Sequence, residues 1–410
     1  MDSFTLVLAL TAVAGLYMAW SIGANDVANA MGTAVGSGAL SLRTVLVLAA
    51  VFELSGALFA GGRVSETIAD NIVDFSALQL DPLLMAGGMA CSLIAAAAWI
   101  HAASAMGFPV STTHSIVGAV LGFGFAVGGS SAVQWDVLGA VGVSWLISPV
   151  LGGVGAYLIL RGLQRWVFEA ANPARSAQRA APAFTFLIIT LLGTALLMDE
   201  QSLLRAAMPF TSALLAAGTV GLLLSTLMAV AARRVVRSED EASTPERLFG
   251  LLQIVTACFI AFAHGSNDVA NAVGPVAAAF RAVQGFDSQN GAIPTNVLMI
   301  GACGIVLGLS TYGFRVMATI GKKITELTPS LGFAAELSAA IVLVAASRLA
   351  LPVSTTHIVV GAVVGAGLNR SLGALNMRVL QGIAASWVVS VPAAGLFCAL
   401  LTLIFQWMIA

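Results

Sequence analysis

Uncharged apolar stretches near twenty residues long recur from one end of this chain to the other. Each can cross a hydrocarbon core of about 30 Å as a helix. In lipid every backbone N–H and C=O must find a partner within the protein, so such stretches fold as helices. Composition removes the water-soluble alternative. Of 410 residues, 59% are hydrophobic and 9% charged, whereas a soluble domain carries about a quarter charged residues. The expected class is an all-α polytopic protein embedded in a lipid bilayer. The net charge of −1 says nothing of partners, and no basic tract or nucleic-acid-binding motif is present, so no nucleic-acid partner is expected. Cys91, Cys258, Cys303 and Cys398 lie far apart in apolar segments, a pattern that fits neither a disulfide framework nor a metal site. Met-Asp-Ser at the start lacks the basic region of a cleaved signal, and the first apolar stretch is expected to be retained.

Apolar runs set against charged or turn-rich breaks give about twelve spans: near 4–22, 42–61, 83–105, 112–127, 137–160, 183–198, 209–231, 248–264, 296–314, 331–349, 353–369 and 379–405. With both termini extracytoplasmic, fourteen of the eighteen Lys and Arg fall on the cytoplasmic side, as the positive-inside rule requires. Arg63, Arg205, Arg281 and Arg348 fall outside or near the outer face, and the outer loop at 62–82 is acidic, with Glu66, Asp70, Asp74 and Asp81. A multi-pass protein of the cell (inner or plasma) membrane is expected. Trp20, Trp135, Trp166 and Trp407 sit near span ends, where interfacial anchors belong.

The chain repeats itself. GANDVANA at 23–30 returns as GSNDVANA at 265–272, and PVSTTH at 109–114 returns at 352–357, running on into SIVGAVLG and IVVGAVVG. A third echo pairs GGRVSETI at 61–68 with GFRVMATI at 313–320. The reading divides the chain into a first repeat at 1–160, a connecting segment at 161–247 with two spans and two basic loops, and a second repeat at 248–410. Five spans plus two is odd, so the second copy enters the membrane from the opposite side. Inverted repeats with broken or re-entrant helices meeting at the midplane are a transporter architecture. Breaks are expected at the two octapeptides and around 109–127.

Asp26 is the one charge between Ser3 and Leu42, and Asp268 the one charge between Leu248 and Phe280. Ionisable groups at bilayer depth are costly and by default functional. Asn25 and Asn29 are four apart, as are Asn267 and Asn271, so each pair can share a helix face. Amide and carboxylate oxygens suit an alkali cation; helix capping and helix bridging are the alternatives. In PVSTTH, Pro109 and Pro352 end a preceding helix, and Ser111-Thr112-Thr113 and Ser354-Thr355-Thr356 open the next. Free N–H groups, a positive dipole end and three hydroxyls make an anion site without Lys or Arg, against back-bonding of the hydroxyls to the helix. His114, His357 and His264 can move a proton or brace a bend, and His101 reads as a packed helix residue. Glu53 and Glu336 are cation ligands or satisfied interhelical partners. A carboxylate repels a nearby oxyanion unless a cation accompanies it, and anion entry into a negative-inside cell opposes the potential. Both considerations point to cation-coupled symport. A passive anion channel is the nearest alternative mechanism. An aspartyl protease dyad lacks its GxGD pattern here, a zinc protease lacks HExxH, and no enzyme activity is expected.

The doubled octapeptide and the paired PVSTTH motifs resemble the inorganic phosphate transporter (PiT) family, over about residues 4–160 and 248–405. The resemblance implies a twelve-span inverted-repeat fold and phosphate symport driven by sodium or protons, with sulfate as the alternative anion. It implies phosphate ligands at Ser111, Thr112, Thr113, Ser354, Thr355 and Thr356, close to Asp26 and Asp268. It further implies cation ligands among Asn25, Asp26, Asn29, Asn267, Asp268 and Asn271, joined by Glu53 and Glu336, which would hold sodium if sodium drives transport. No cofactor besides the coupling ion is expected, and a homodimer is one assembly open to the chain. The segment 232–247 is short where many members carry a large hydrophilic loop.

Overall fold

The computed structural model describes residues 2–61, 72–75, 78, 80–198, 207–238, 242–284 and 294–409. The third echo's first copy, with Arg63, Glu66 and Asp70, lies outside these residues, as does Arg205. The described backbone is helical almost throughout, and its one β-pairing is the isolated bridge between Val73 and Val133. The helices of the first half are α1 (Ser3–Gly36), α2 (Leu42–Ala60), α3 (Pro82–Ala105), α4 (Thr112–Gly128) and α5 (Trp135–Leu163). Next come α6 (Pro173–Leu197) and α7 (Phe210–Ser238). The second half holds α8 (Thr244–Asp268), α9 (Ala270–Gln284), α10 (Thr295–Thr311), α11 (Phe314–Lys322), α12 (Pro329–Arg348), α13 (Thr355–Leu368) and α14 (Met377–Ile409). Among the described residues, ten helical stretches are long and apolar enough to cross a membrane, with α10 and α13 as shorter apolar helices. Each expected span coincides with a helix, although 296–314 runs past the end of α10 at Thr311 and 353–369 begins two residues before α13.

Four boundaries differ from expectation. α1 runs unbroken through GANDVANA, because the polar side chains there find partners on other helices and small neighbours leave the helix nothing to avoid. At the second octapeptide the interruption is one residue, Val269, between α8 and α9. α6 begins ten residues before the expected span, where Asn172 caps the helix by accepting from the Arg175 amide at 2.7 Å and Pro173 takes the first turn. The expected break at 109–127 is confined to its start: Phe108 to Ser111 are non-helical, and α4 then runs straight.

The halves pack by exchange. α1 lies against α10 and α2 against α8; α4 lies against α14 and α13 against α5. Glycine makes the second set of contacts close. A Cβ on Gly122 would overlap the Gly395 carbonyl, and one on Gly365 the Gly153 carbonyl. Each belongs to a small-xxx-small pair, Gly118–Gly122 or Gly361–Gly365, of the kind that lets membrane helices approach backbone to backbone. These contacts fix where α4 and α13 begin, and so where both PVSTTH segments meet. α6 and α7 pack mainly on each other, with α6 also against α8. The interfacial tryptophans divide: Trp135, Trp166 and Trp407 are 56%, 75% and 82% exposed. Trp20 instead donates to Thr311 Oγ1 at 2.9 Å and packs edge-on against His101.

Candidate functional site

Both PVSTTH segments open their helices as capped N-termini. Ser111 Oγ accepts from the His114 amide at 3.1 Å and Ser354 Oγ from the His357 amide at 3.2 Å, each satisfying one orphan donor of the first turn. The next hydroxyl of each copy goes to an aspartate. Thr112 donates to Asp26 Oδ2 and Thr355 to Asp268 Oδ2, both at 2.8 Å. The third crosses to the other copy: Thr113 donates to the Val353 carbonyl at 3.0 Å, and Thr356 to the Val110 carbonyl at 3.1 Å. Behind them, His114 and His357 rings meet with centroids 4.4 Å apart. Trp145 lies against His114 at 3.8 Å and Trp387 stacks on His357 at 3.6 Å. The histidines therefore brace the junction: their Nδ1 atoms lie 3.1 and 3.3 Å from the backbone carbonyls of Trp387 and Trp145.

The octapeptides supply the facing wall, and every polar side chain in it is buried. Asn29 donates to Asp26 Oδ1 at 2.7 Å and to Thr356 Oγ1 at 2.8 Å. Asn271 reaches Thr112 and Thr113 Oγ1, each at 3.4 Å. Asn25 and Asn267 point elsewhere. Asn25 ties α1 to α3 and to the bend before α4 through Ser104 Oγ at 2.8 Å, the Phe108 carbonyl at 3.1 Å and the Val110 amide at 3.2 Å. Asn267 donates to Ser347 Oγ at 3.3 Å. The expected face-sharing of Asn25 with Asn29 thus gives way to two different jobs, one bracing and one lining. Asp26, His264 and Asp268 converge closely enough for their ligand atoms to lie within 4.8 Å of one another. Asp268 Oδ1 and Asn29 Oδ1 are buried with no hydrogen-bond partner. Unpaired buried oxygens are costly, and hard oxygen acceptors of this sort are what an alkali cation would satisfy.

The two crossed helix contacts differ in charge. His264 Nε2 lies 2.9 Å from Asp268 Oδ2 and 3.8 Å from Asp26 Oδ2, and its Nδ1 lies 3.4 Å from Glu53 Oε1. At the octapeptide offset His264 corresponds to Ile22. Glu53 corresponds to Ile305, since the Glu53 carbonyl crowds Gly265 as the Ile305 carbonyl crowds Gly23. The contact of α2 with α8 therefore carries an ionisable pair where the contact of α1 with α10 carries two buried isoleucines. Glu336 forms a separate cluster: its carboxylate accepts from Thr33 at 2.5 Å, Thr256 at 2.6 Å and Gln253 at 3.1 Å. Glu53 and Glu336, alike in the sequence, are brought to different places. Thr33, Gln253 and Thr256 went unremarked in the sequence; the one available signal is Thr33, a helical turn beyond Asn29 on α1.

Comparison with known proteins accords with this geometry. A sequence model of the phosphate transporter family matches residues 22–398. The chloroplastic inorganic phosphate transporter 2-1 of Arabidopsis thaliana is 42% identical, over 96% of this chain and 71% of its own. A protein named as a phosphate permease in Pyrococcus furiosus is 41% identical, over 96% and 95%. A solved structure, described as the sodium-dependent phosphate transporter, superposes with a TM-score of 0.92 at 38% identity, covering 98% of this chain and 99% of that one. These are names of transporters and permeases rather than enzymes, and none of the three carries the word sulfate.

Proposed function

Because the chain belongs to the phosphate transporter family, we propose that it moves inorganic phosphate into the cell by symport with a cation, sodium rather than a proton. The observation that carries the mechanism is the pair of 2.8 Å bonds from Thr112 to Asp26 and from Thr355 to Asp268. A hydroxyl has one proton to donate. While the aspartate holds that proton, an incoming oxyanion cannot have it, and the carboxylate also repels the anion. A cation on the carboxylate weakens both effects together, freeing the threonine donor and cancelling the repulsion. Cation and anion then bind in mutual support, with the helix N-termini of α4 and α13 adding backbone donors. Thr113 and Thr356 hold the two segments together through their bonds to the Val353 and Val110 carbonyls. Asp26, Asp268, Asn29 and Asn271 serve the cation in this reading, and Ser111 and Ser354 hold the helix ends in place. Asn25 and Asn267 support it from behind, with Glu53 acting through His264. Sodium is favoured by the unpartnered oxygens of Asp268 and Asn29 and by the name of the superposable transporter.

The reading includes inverted repeats at 1–160 and 248–410, set in opposite senses by the two helices α6 and α7 between them. It also places both termini outside a cell membrane and leaves room for a homodimer. Proteoliposomes loaded with phosphate-free buffer test it. An imposed sodium gradient is expected to drive accumulation of labelled phosphate above equilibrium, with sulfate competing weakly. Accumulation under a pH gradient alone would move the coupling ion to the proton, and equilibration without accumulation would make the protein a channel.

Two variants divide the roles. Thr112→Val or Thr355→Val removes a donor while keeping the shape, and a lost hydrogen bond to a charged ligand is worth about 1.5–3 kcal/mol. The phosphate KM is expected to rise about 10- to 100-fold in uptake assays at saturating sodium. Glu336→Gln, which removes a buried charge outside the threonine site, is expected to raise the sodium needed for half-maximal uptake about tenfold. The phosphate KM at saturating sodium should then stay near its original value.

A further inference from the structure

The second half of the molecule has an opening beside the proposed transport site. A cavity of about 30 Å³ lies between α6, α8 and α12, lined by Leu192, Ala195, Phe262, Ser266, Ser347 and Arg348 among others. Its polar wall backs onto the proposed transport site: Ser347 Oγ accepts from Asn267, the residue between Ser266 and Asp268. The corresponding corner of the first half contains Ala105 where the second has Arg348, and Ser104 where it has Ser347. There Asn25 makes three bonds that stitch α1 to α3 and to the bend before α4. Here Asn267 makes one long bond, and the Val353 amide turns to the Leu351 carbonyl at 2.9 Å instead. The turn between helix and bend is shared, but its left-handed residue is Gly107 (φ 74°) in the first half and Ala350 (φ 53°) in the second. A side chain makes that conformation strained, so the second corner is the less firmly held of the two.

Arg348 gives this corner its chemistry. It is half-buried, and its guanidinium donates to the Ala195 carbonyl at 3.4 Å. No carboxylate among the described residues pairs with it. A guanidinium has five N–H donors, and a partly desolvated one gains most from an oxyanion that takes two of them at once. The Ser347 hydroxyl proton beside it has no acceptor among the described residues, so it is free to join.

We propose that Arg348 and Ser347 form a receiving site for phosphate at the mouth beside α12, from which the anion passes Asn267 to reach the threonines. This rests on the reading of the chain as a phosphate symporter. The cavity has about the volume of one water molecule, so the corner opens further as the anion passes, which the single Asn267 bond permits. The charge at Arg348 acts on arrival rather than on the bound state. Its effect therefore falls on the phosphate KM and its salt dependence.

Sodium-driven phosphate uptake by purified wild type, Arg348→Gln and Arg348→Lys in proteoliposomes tests the proposal, with ionic strength varied by an inert salt. Arg348→Gln is expected to raise the phosphate KM about 5- to 20-fold with little change in maximal rate or in sodium dependence, and Arg348→Lys to restore most of the loss. The wild-type KM is expected to rise with ionic strength, and that of Arg348→Gln to stay flat. An unchanged KM in Arg348→Gln overturns the proposal, as does equal loss in the Lys variant, which assigns Arg348 to holding α6. If Arg348→Gln does not fold, a wild-type KM indifferent to ionic strength overturns it. Wild type that carries no phosphate would fail the symporter reading itself, before any variant is compared.

Discussion

Asp26→Asn and Asp268→Asn are each expected to lower sodium-driven phosphate uptake about 100-fold or more, in protein that remains folded. The two expectations come from one substitution because the effects oppose. Removing a buried carboxylate's charge relieves the protein of keeping it out of water, so the fold has nothing to lose on that account. Asparagine keeps the shape and can still accept from Thr112 or Thr355. What it cannot do is hold a cation against the anion, and the loss of one member of a buried charged pair costs about 2–5 kcal/mol in binding. A loss near 2.7 kcal/mol is a hundredfold. The two variants are expected to differ in residual behaviour. Asp26 has both oxygens engaged by Thr112, Asn29 and Thr356, whereas Asp268 has one oxygen bare. The Asp268 variant should therefore lose more of its sodium dependence, and the Asp26 variant more of its phosphate affinity. Uptake against sodium and phosphate concentration in the two purified variants reads this directly. Near-normal coupled uptake in both would remove the aspartates from the mechanism.

Gly122→Leu and Gly365→Leu are expected to have the largest effect on the fold itself. Neither residue touches the polar site, but each lies where the backbone of the facing helix occupies the space a side chain needs. Overpacking by a methyl already costs about 1–3 kcal/mol where surroundings can shift. Here the neighbour is a carbonyl of α14 or α5, and leucine adds three carbons beyond that methyl. The helix pairs must separate, carrying the starts of α4 and α13 and the crossed Thr113 and Thr356 bonds with them. Detergent-solubilised protein should elute as aggregate or lose most of its thermal transition, whereas Gly122→Ala or Gly365→Ala should lower the midpoint and leave some folded protein. Leucine variants with wild-type thermal stability would show that α4 and α13 do not depend on close contact.

The spans were legible because charge is confined to their ends, and the paired motifs were legible because they occur twice. Single-copy features were harder to read. Nothing marks Thr33, Gln253 and Thr256 as partners of Glu336, since one threonine or glutamine in an apolar helix is ordinary and the three come from two distant helices. α11 fell in the loop expected between the spans 296–314 and 331–349, because nine residues with basic ends are too few to stand out as an apolar run. The expected break at GANDVANA failed for a related reason. Glycine, asparagine and aspartate do disfavour an isolated helix, but here Ser104 and Thr356 satisfy the amides from outside, and tertiary packing overrides the local preference. His264 was visible but indistinct, as its importance lies in two acids brought to it from α1 and α2 and one from its own helix.

The crossed hydroxyl bonds bear on how such a chain could arise. Thr113 finds its acceptor in the other copy, as does Thr356, and Asn29 and Asn271 likewise reach across. A single copy of the repeat would find these partners only in a second molecule of itself. In such a pair every substitution appears twice. Joined in one chain, the copies can differ, and the α2–α8 contact holds a histidine and a glutamate where the α1–α10 contact keeps two isoleucines.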